Sequence, residues 1–280
     1  MSVLDLDFSA LCERHESLLF DAYGVLVHSD GVIDGAVDAI DSLLRRGQRF
    51  VVLTNDASRS PKSSSDRFKR LGLQIEPHSV LSSGGMVQSY FASNGLEGAR
   101  CAVLGTRDSR WFVSQAGGEV LERCTDPADV VVICDEQGFD FIPTLDAMLS
   151  WISRVCEQGR PPVLLLPNPD LIYPAAEGGF GFTAGSVAAM LEAGLFARLG
   201  PTAPRFVALG KPSTFLFEHA IETLGTRDCV MLGDQLATDI LGANSARISS
   251  ALLLTGVTRR EHLTDSAIQP SYVLESLQIA

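Results

Sequence analysis

Four short apolar runs in this chain stop at polar residues that could handle phosphate or metal. Leu18-Leu19-Phe20 ends at Asp21, and Val51-Val52-Leu53 ends at Thr54. Val207-Ala208-Leu209 leads to Gly210-Lys211-Pro212, and Val230-Met231-Leu232 leads to Gly233-Asp234 and on to Thr238-Asp239. These residue types fit phosphoryl transfer. A carboxylate can attack phosphorus and form an acyl phosphate, dividing one hard step into two. Nucleophile and phosphate are both anionic, so positive charge has to stand beside them. Asp21 and Asp234 can hold a hard cation through oxygen. Lys211 adds a point charge, and Thr54 offers a hydroxyl with neighbouring backbone N–H groups. Stabilising charge where it develops is usually the largest catalytic contribution. Alone, Asp21 reads best as a polar strand end; with three such partners the functional reading prevails.

A scaffold must bring these distant strand ends together. Near-continuous hydrophobicity predicts buried strands at Ser17–Asp21, Arg49–Thr54, Cys101–Leu104, Val130–Cys134, Val163–Leu166, Phe206–Leu209, Cys229–Leu232 and Ser250–Leu254, with Tyr272–Leu274 as a final edge strand. Helices fit between them. Gly35–Arg46 carries a helical apolar stripe and stops before Gly47, and Ser60-Pro61 reads as an N-cap followed by a first-turn proline. Thr214–Leu224 precedes Gly225, and Thr238–Ala246 follows the Asp234 segment. Strands alternating with helices predict a doubly wound parallel α/β sheet, in which ligands bind beyond the carboxyl ends of the strands. The four chemical groups are expected on one edge of that sheet. The middle of the chain has its own strands and helices, so a split core of residues 1–82 and 187–280 with an inserted α/β cap domain of residues 83–186 is expected. The crossovers should lie near Ser82–Gly85 and Gly185–Ala188.

The order DxxGV, TN, GKP and GDxxxTD, at Asp21, Thr54, Lys211 and Asp234/Asp239, resembles the four-motif signature of the haloacid dehalogenase (HAD) superfamily. The long gap between the second and third motifs resembles its subclass IIA, which includes sugar, pyridoxal and nitrophenyl phosphatases. Val32–Gly35 before a helix and Asn168-Pro169-Asp170 in the cap agree with it. The resemblance spans nearly the whole chain. It implies a hydrolase with Asp21 as nucleophile and Mg²⁺ as cofactor, held by Asp21, the backbone carbonyl of Tyr23, and Asp234. Asp239 would hold metal-bound water or orient Lys211. Thr54 and Asn55, with Lys211, would grip the phosphoryl group, and Asn168, Asp170 and Tyr173 would face the substrate from the cap. The expected substrate is a small phosphorylated metabolite.

The chain departs from the phosphatase pattern at Tyr23, where the resemblance expects an aspartate serving as general acid and base. Such help is worth ~10²–10⁴-fold, and tyrosine, with a pKa of ~10, is a poor base near neutrality. The tetrapeptide Asp21-Ala22-Tyr23-Gly24 resembles instead the 2-haloacid dehalogenase branch, whose halide leaves without a proton. A dehalogenase-like C–X hydrolase using Asp21, and a binding protein with weak catalysis, are therefore the alternatives. Rapid turnover on a phosphate ester would require another base, such as Asp56 or a cap side chain.

Composition narrows the partners. The 280 residues are 46% hydrophobic and 20% charged, with a net charge of -12. That is globular composition with no basic stripe for nucleic acid. The N-terminus lacks a basic stretch followed by a long apolar one, so no signal peptide is expected, and no apolar run approaches the ~20 residues that span a bilayer. No membrane partner and a cytoplasmic enzyme are expected, with a homodimer through the cap as an open option. The six cysteines include no CxxC pair, and several in apolar segments read as core residues, so neither a disulfide framework nor a zinc site is expected. The five histidines are scattered and read as structural. Trp111 and Trp151 are expected in the cap core. Gly179–Ala184 has the outline of a dinucleotide fingerprint but no clear strand before it, and reads as a turn into a helix.

Overall fold

A computed structural model describes residues 4–28, 31–174 and 179–279. Seven strands form one parallel sheet, in the order Leu4–Asp5, Tyr272–Leu274, Ser249–Leu253, Cys229–Gly233, Ser17–Phe20, Arg49–Thr54, Val80–Ser82. Ser17, Leu18, Leu19 and Phe20 are all fully buried, because helices cover both faces of the sheet. From the Ser17–Phe20 strand the chain winds outward through the helix Ala36–Arg46 to Arg49–Thr54, and through the helix Pro61–Arg70 to Val80–Ser82. After the inserted segment it returns on the other side, at Cys229–Gly233. Strand order thus reverses beside Asp21, which opens a crevice at the strands' carboxyl ends. Local signals explain the helix limits. The Ser60 side chain caps the Ser63 N–H ahead of Pro61, and Gly47 closes the preceding helix with φ 62°.

A second parallel sheet runs Val207–Ala208, Val163–Leu166, Val130–Ile133, Arg100–Leu104, Glu119–Val120. The helices Phe141–Glu157 and Ala184–Leu199 cover one face, packing Met148, Trp151, Val187 and Leu191 on Val131, Ile133 and Leu164. On its other face, Phe91 and Val113 join Val103 and Val132 in an apolar cluster that continues into the first sheet through Leu19, Val51 and Met231. The two layers therefore share a dry contact. The fold is the expected doubly wound α/β core with an inserted α/β cap. Among the described residues, no helix is long and apolar enough to cross a membrane.

Four expectations need correction. The Val207–Ala208 run is not a core strand; it pairs with Val163–Leu166 at the edge of the cap sheet. An apolar run announces a strand but carries no information about which sheet adopts it. Likewise, the second crossover expected at Gly185–Ala188 lies inside a helix whose Val187, Ala188, Leu191 and Leu195 are buried in the cap core. The cap layer accordingly runs on to about Ala208. Trp111 is 43% exposed, on the outer side of its helix, whereas Trp151 is buried as expected. The expected helix Thr238–Ala246 begins instead with a wide helical turn, Leu236–Ile240, before regular helix at Leu241–Ser245.

Candidate active site

Strand register brings the carboxylates together. Leu232 pairs with Phe20, and the Asp21 N–H donates to the Leu232 carbonyl at 2.8 Å, so Asp21 and Asp234 emerge side by side. Asp239 follows on the wide helical turn. Ligand oxygens of Asp21, Asp234 and Asp239 lie within 4.8 Å of one another, all buried. Two glycines make room. Gly24 has φ 84°, and a Cβ there would stand 2.4 Å from Asp234 Oδ2. A Cβ on Gly233 would stand 2.1 Å from Asp239.

Lys211 Nζ donates to Asp21 Oδ1 and to Asp239 Oδ1, each at 2.6 Å. The lysine arrives from the edge strand of the cap sheet, not from a core strand end. One lysine against three buried carboxylates leaves an excess of negative charge, which proteins do not bury without further compensation. The electrostatics record this. Burial pushes Asp21 up to about 7, against the pull of Lys211, with Asp239 and Asp170 adding to the rise. Asp234 is driven up by burial and then by Asp21 and Asp239. Lys211 loses by burial, but Asp21, Asp239 and Asp170 outweigh that and hold it charged. Asp234 Oδ2 accepts from the Val257 N–H at 2.7 Å, while buried Oδ1 has no hydrogen-bond partner among the described residues. Orphaned oxygen and excess carboxylate together fit a divalent cation with oxygen ligands.

Thr54 is buried at the neighbouring strand end and lines the same cavity; its Oγ1 accepts from the Asp56 N–H at 3.1 Å, leaving its proton to donate. Asn55 is buried next to Thr54. Its Oδ1 accepts from the Lys211 N–H at 2.7 Å, and its Nδ2 donates to the Lys211 carbonyl at 3.1 Å and to Asp170 Oδ1 at 2.9 Å. The side-chain amide is fully engaged and ties the lysine loop to the cap. Asn168 lines the cavity and turns its Oδ1 back to the Asp170 N–H at 3.1 Å.

Tyr23 is half-buried, and the Arg67 guanidinium lies 5.2 Å from its ring centroid. Burial and then Asp56 raise the phenol above its ordinary value, against Arg59 and Arg67, so it stays protonated near neutrality. Tyrosine at this position is no base.

The cavity in front of Asp21 measures about 270 Å³, room for a small ligand. Sequence reading passed over several of its walls, Arg59, Arg67, Asp135 and Glu136, while Tyr173 lines it from the cap as expected. Arg59 and Arg67 had a signal, since they follow Thr54 in the next loop and on the helix it leads into. Asp135 and Glu136 had a weaker one, just past the apolar run at Val130–Ile133.

Residues 18–119 match the family of haloacid dehalogenase-like hydrolases, and residues 208–280 a HAD-hydrolase-like family. A 5'-nucleotidase of Bacillus subtilis is 26% identical over 267 residues, covering 95% of this chain and 97% of that protein. The crystal structure of a possible sugar phosphatase from Cytophaga hutchinsonii superposes with a TM-score of 0.86 at 29% identity, covering 100% of both chains. A glycerol phosphate phosphatase from Mycobacterium tuberculosis, crystallised in complex with magnesium, superposes at 0.79 with 26% identity, over 95% of this chain and 76% of that one.

Proposed function

We infer that this chain, which belongs to the haloacid dehalogenase superfamily as a capped hydrolase of subfamily IIA, cleaves the phosphate monoester of a small metabolite through a phosphorylated Asp21. It is a phosphatase of that family; the substrate, the residue roles and the metal identity are our reading. The observation that carries it is Lys211 Nζ bridging Asp21 and Asp239 at 2.6 Å beside the unpartnered Asp234 Oδ1.

Asp21, Asp234 and Asp239, with the Tyr23 backbone carbonyl, would hold Mg²⁺; bound there, it supplies positive charge against the phosphoryl oxygens. The chain's own groups do the rest. Lys211 holds one oxygen of Asp21 and so orients the other for attack on phosphorus. The Thr54 hydroxyl donates to a phosphoryl oxygen. Attack forms the bond from Asp21 to phosphorus and breaks the bond from phosphorus to the leaving oxygen, which takes a proton. Water then attacks phosphorus, gives up a proton, and releases Asp21 and inorganic phosphate.

The same carboxylate cluster favours a phosphate ester over the carbon–halogen bond suggested by the Asp21-Ala22-Tyr23-Gly24 segment. Dehalogenation through Asp21 has no use for three buried acids around one lysine. A second copy of the chain meeting this one through the cap belongs to the same reading, supported by Phe180 and Phe182, exposed at 62% and 73% on a cap hairpin; light scattering tests it.

A screen of phosphorylated metabolites, with Mg²⁺ present or chelated, tests the function. We expect metal-dependent phosphate release that Asp21→Asn abolishes. Halide release from a haloacid without metal, and no phosphate from any ester, would reverse the reading.

A further inference from the structure

The reaction above, on which this inference rests, needs a group that gives a proton to the leaving oxygen and later takes one from water. Tyr23 is held protonated and cannot do the second. The cavity walls carry other carboxylates. Asp56 is engaged at both oxygens: it accepts from the Ser58 N–H at 2.8 Å, the Ser58 hydroxyl at 2.6 Å and Arg59 at 2.7 Å. Asp135 and Glu136 sit over this Asp56–Arg59 loop, and Asp135 accepts from the Gln137 N–H at 2.8 Å.

Asp170 differs from all of these. Its backbone is locked, with the N–H donating to Asn168 Oδ1 at 3.1 Å and the carbonyl accepting from the Gly185 N–H at 3.1 Å and from the Thr183 hydroxyl. Gly185 is required for that approach, since a Cβ there would stand 2.3 Å from the Asp170 carbonyl oxygen. One carboxylate oxygen takes the Asn55 amide at 2.9 Å, and the same Asn55 holds the Lys211 backbone. Asp170, Asn55 and Lys211 thus form a chain that fixes the cap carboxylate relative to the lysine on Asp21. The other Asp170 oxygen meets no hydrogen-bond donor among the described residues, and the residue lines the cavity.

We propose that Asp170, reaching in from the cap, is the general acid and base of this hydrolase, in the role that residue 23 cannot fill. Charge and burial suit it. The groups facing it are Lys211, Asp239, Asp21 and the Asn55 amide, and burial lifts it to about 6, with Lys211 and Asn55 pulling down and Asp239 pushing up. A group poised near the working pH exchanges protons well in both directions. In the first half-reaction the protonated Asp170 gives its proton to the leaving oxygen as the ester bond to phosphorus breaks. In the second, the resulting carboxylate takes a proton from water as the water oxygen bonds to phosphorus and the bond to Asp21 breaks. Asp170 ends protonated, ready for the next turn.

Asp170→Asn keeps an acceptor for Asn55 but cannot ionise, so it separates proton transfer from anchoring. With p-nitrophenyl phosphate and Mg²⁺, whose leaving group needs no proton, this variant should give a burst of about one nitrophenolate per chain. Its steady state should then fall roughly 10²–10⁴-fold, with phospho-Asp21 accumulating by intact mass. With glycerol phosphate, the burst itself should vanish. Wild-type kcat should fall below about pH 6, and the variant should lose that limb. Steady-state rates within about twofold of wild type, on both substrates, would reduce Asp170 to a hook for Asn55. A wild-type profile flat between about pH 5 and 7 would overturn the proposal even if the variant did not fold. If wild type forms no adduct and Asp21→Asn turns over as fast, it is the phospho-Asp21 reading that fails.

Discussion

Asn55 Nδ2 donates to Asp170 Oδ1 at 2.9 Å, a hydrogen bond between core and cap that spans 115 positions of sequence. The amide has no spare capacity, because its remaining hydrogen bonds hold both backbone groups of Lys211. The Asn55 side chain is therefore a joint between cap, core and the Lys211 backbone.

Replacing that joint should be costly. Asn55→Ala leaves the buried Lys211 N–H and carbonyl without partners, about 1–3 kcal/mol for each unsatisfied group. We expect a lower Tm together with a fall in kcat larger than any rise in KM, because Lys211 loses its aim while the cavity wall persists. Thermal denaturation and steady-state kinetics on the same preparation check both. Unchanged kcat would show that Lys211 is positioned by Asp21 and Asp239 alone.

Three buried carboxylates beside one lysine predict strong stabilisation by a divalent cation. At a hundredfold excess over Kd, ligand binding contributes about 2.7 kcal/mol, so Mg²⁺ should raise Tm by several degrees. Asp234→Asn should abolish that rise. It should also be more stable than wild type in chelator, because it removes one of the mutually repelling charges. A thermal-shift series with and without Mg²⁺ reads both; an undiminished shift in the variant would place the ion elsewhere.

The sign of the pH dependence follows from Asp21. Its folded value of about 7 lies above the ordinary carboxylate value of 3.8, so the folded protein holds the proton more tightly than the unfolded chain. Between these two values the folded state binds more protons, and stability must fall as pH rises through that window. In chelator, Tm should therefore be higher at pH 5 than at pH 8. Mg²⁺ rewards the ionised carboxylate and should flatten or invert the trend. Asp21→Asn should weaken it in chelator. A metal-free Tm that climbs from pH 5 to pH 8 would contradict the charge balance described here.

Tyr23→Asp tests whether position 23 can still serve. The new carboxylate would lie near Arg59 and Arg67, which favour its ionised form. In the Asp170→Asn background we expect this second change to restore at least tenfold in steady-state turnover, read as faster loss of the phospho-Asp21 adduct. No recovery, with a folded double variant by circular dichroism, would mean that the cavity around Arg67 cannot accept a base in that place.

The sequence by itself determined which polar groups close the core strands. Asp21, Thr54 and Asp234 were legible because each follows a run too apolar to lie anywhere but inside a sheet, and parallel strands present their ends on one edge; Asp239 was legible only through its spacing from Asp234. Helix limits at Ser60-Pro61 and Gly47 were legible because capping is a local property of the backbone. The tertiary structure alone decided that Val207–Ala208 joins the cap sheet, so that Lys211 enters the core site from the other domain. Hydrophobic periodicity marks a strand but not its partner. It alone also decided that Asn55 is saturated, that Arg67 covers Tyr23, and that one oxygen of Asp170 stays open in the cavity. Hydrogen-bond saturation and the proton affinity of a buried group depend on neighbours far away in sequence, and folding is what brings those neighbours together.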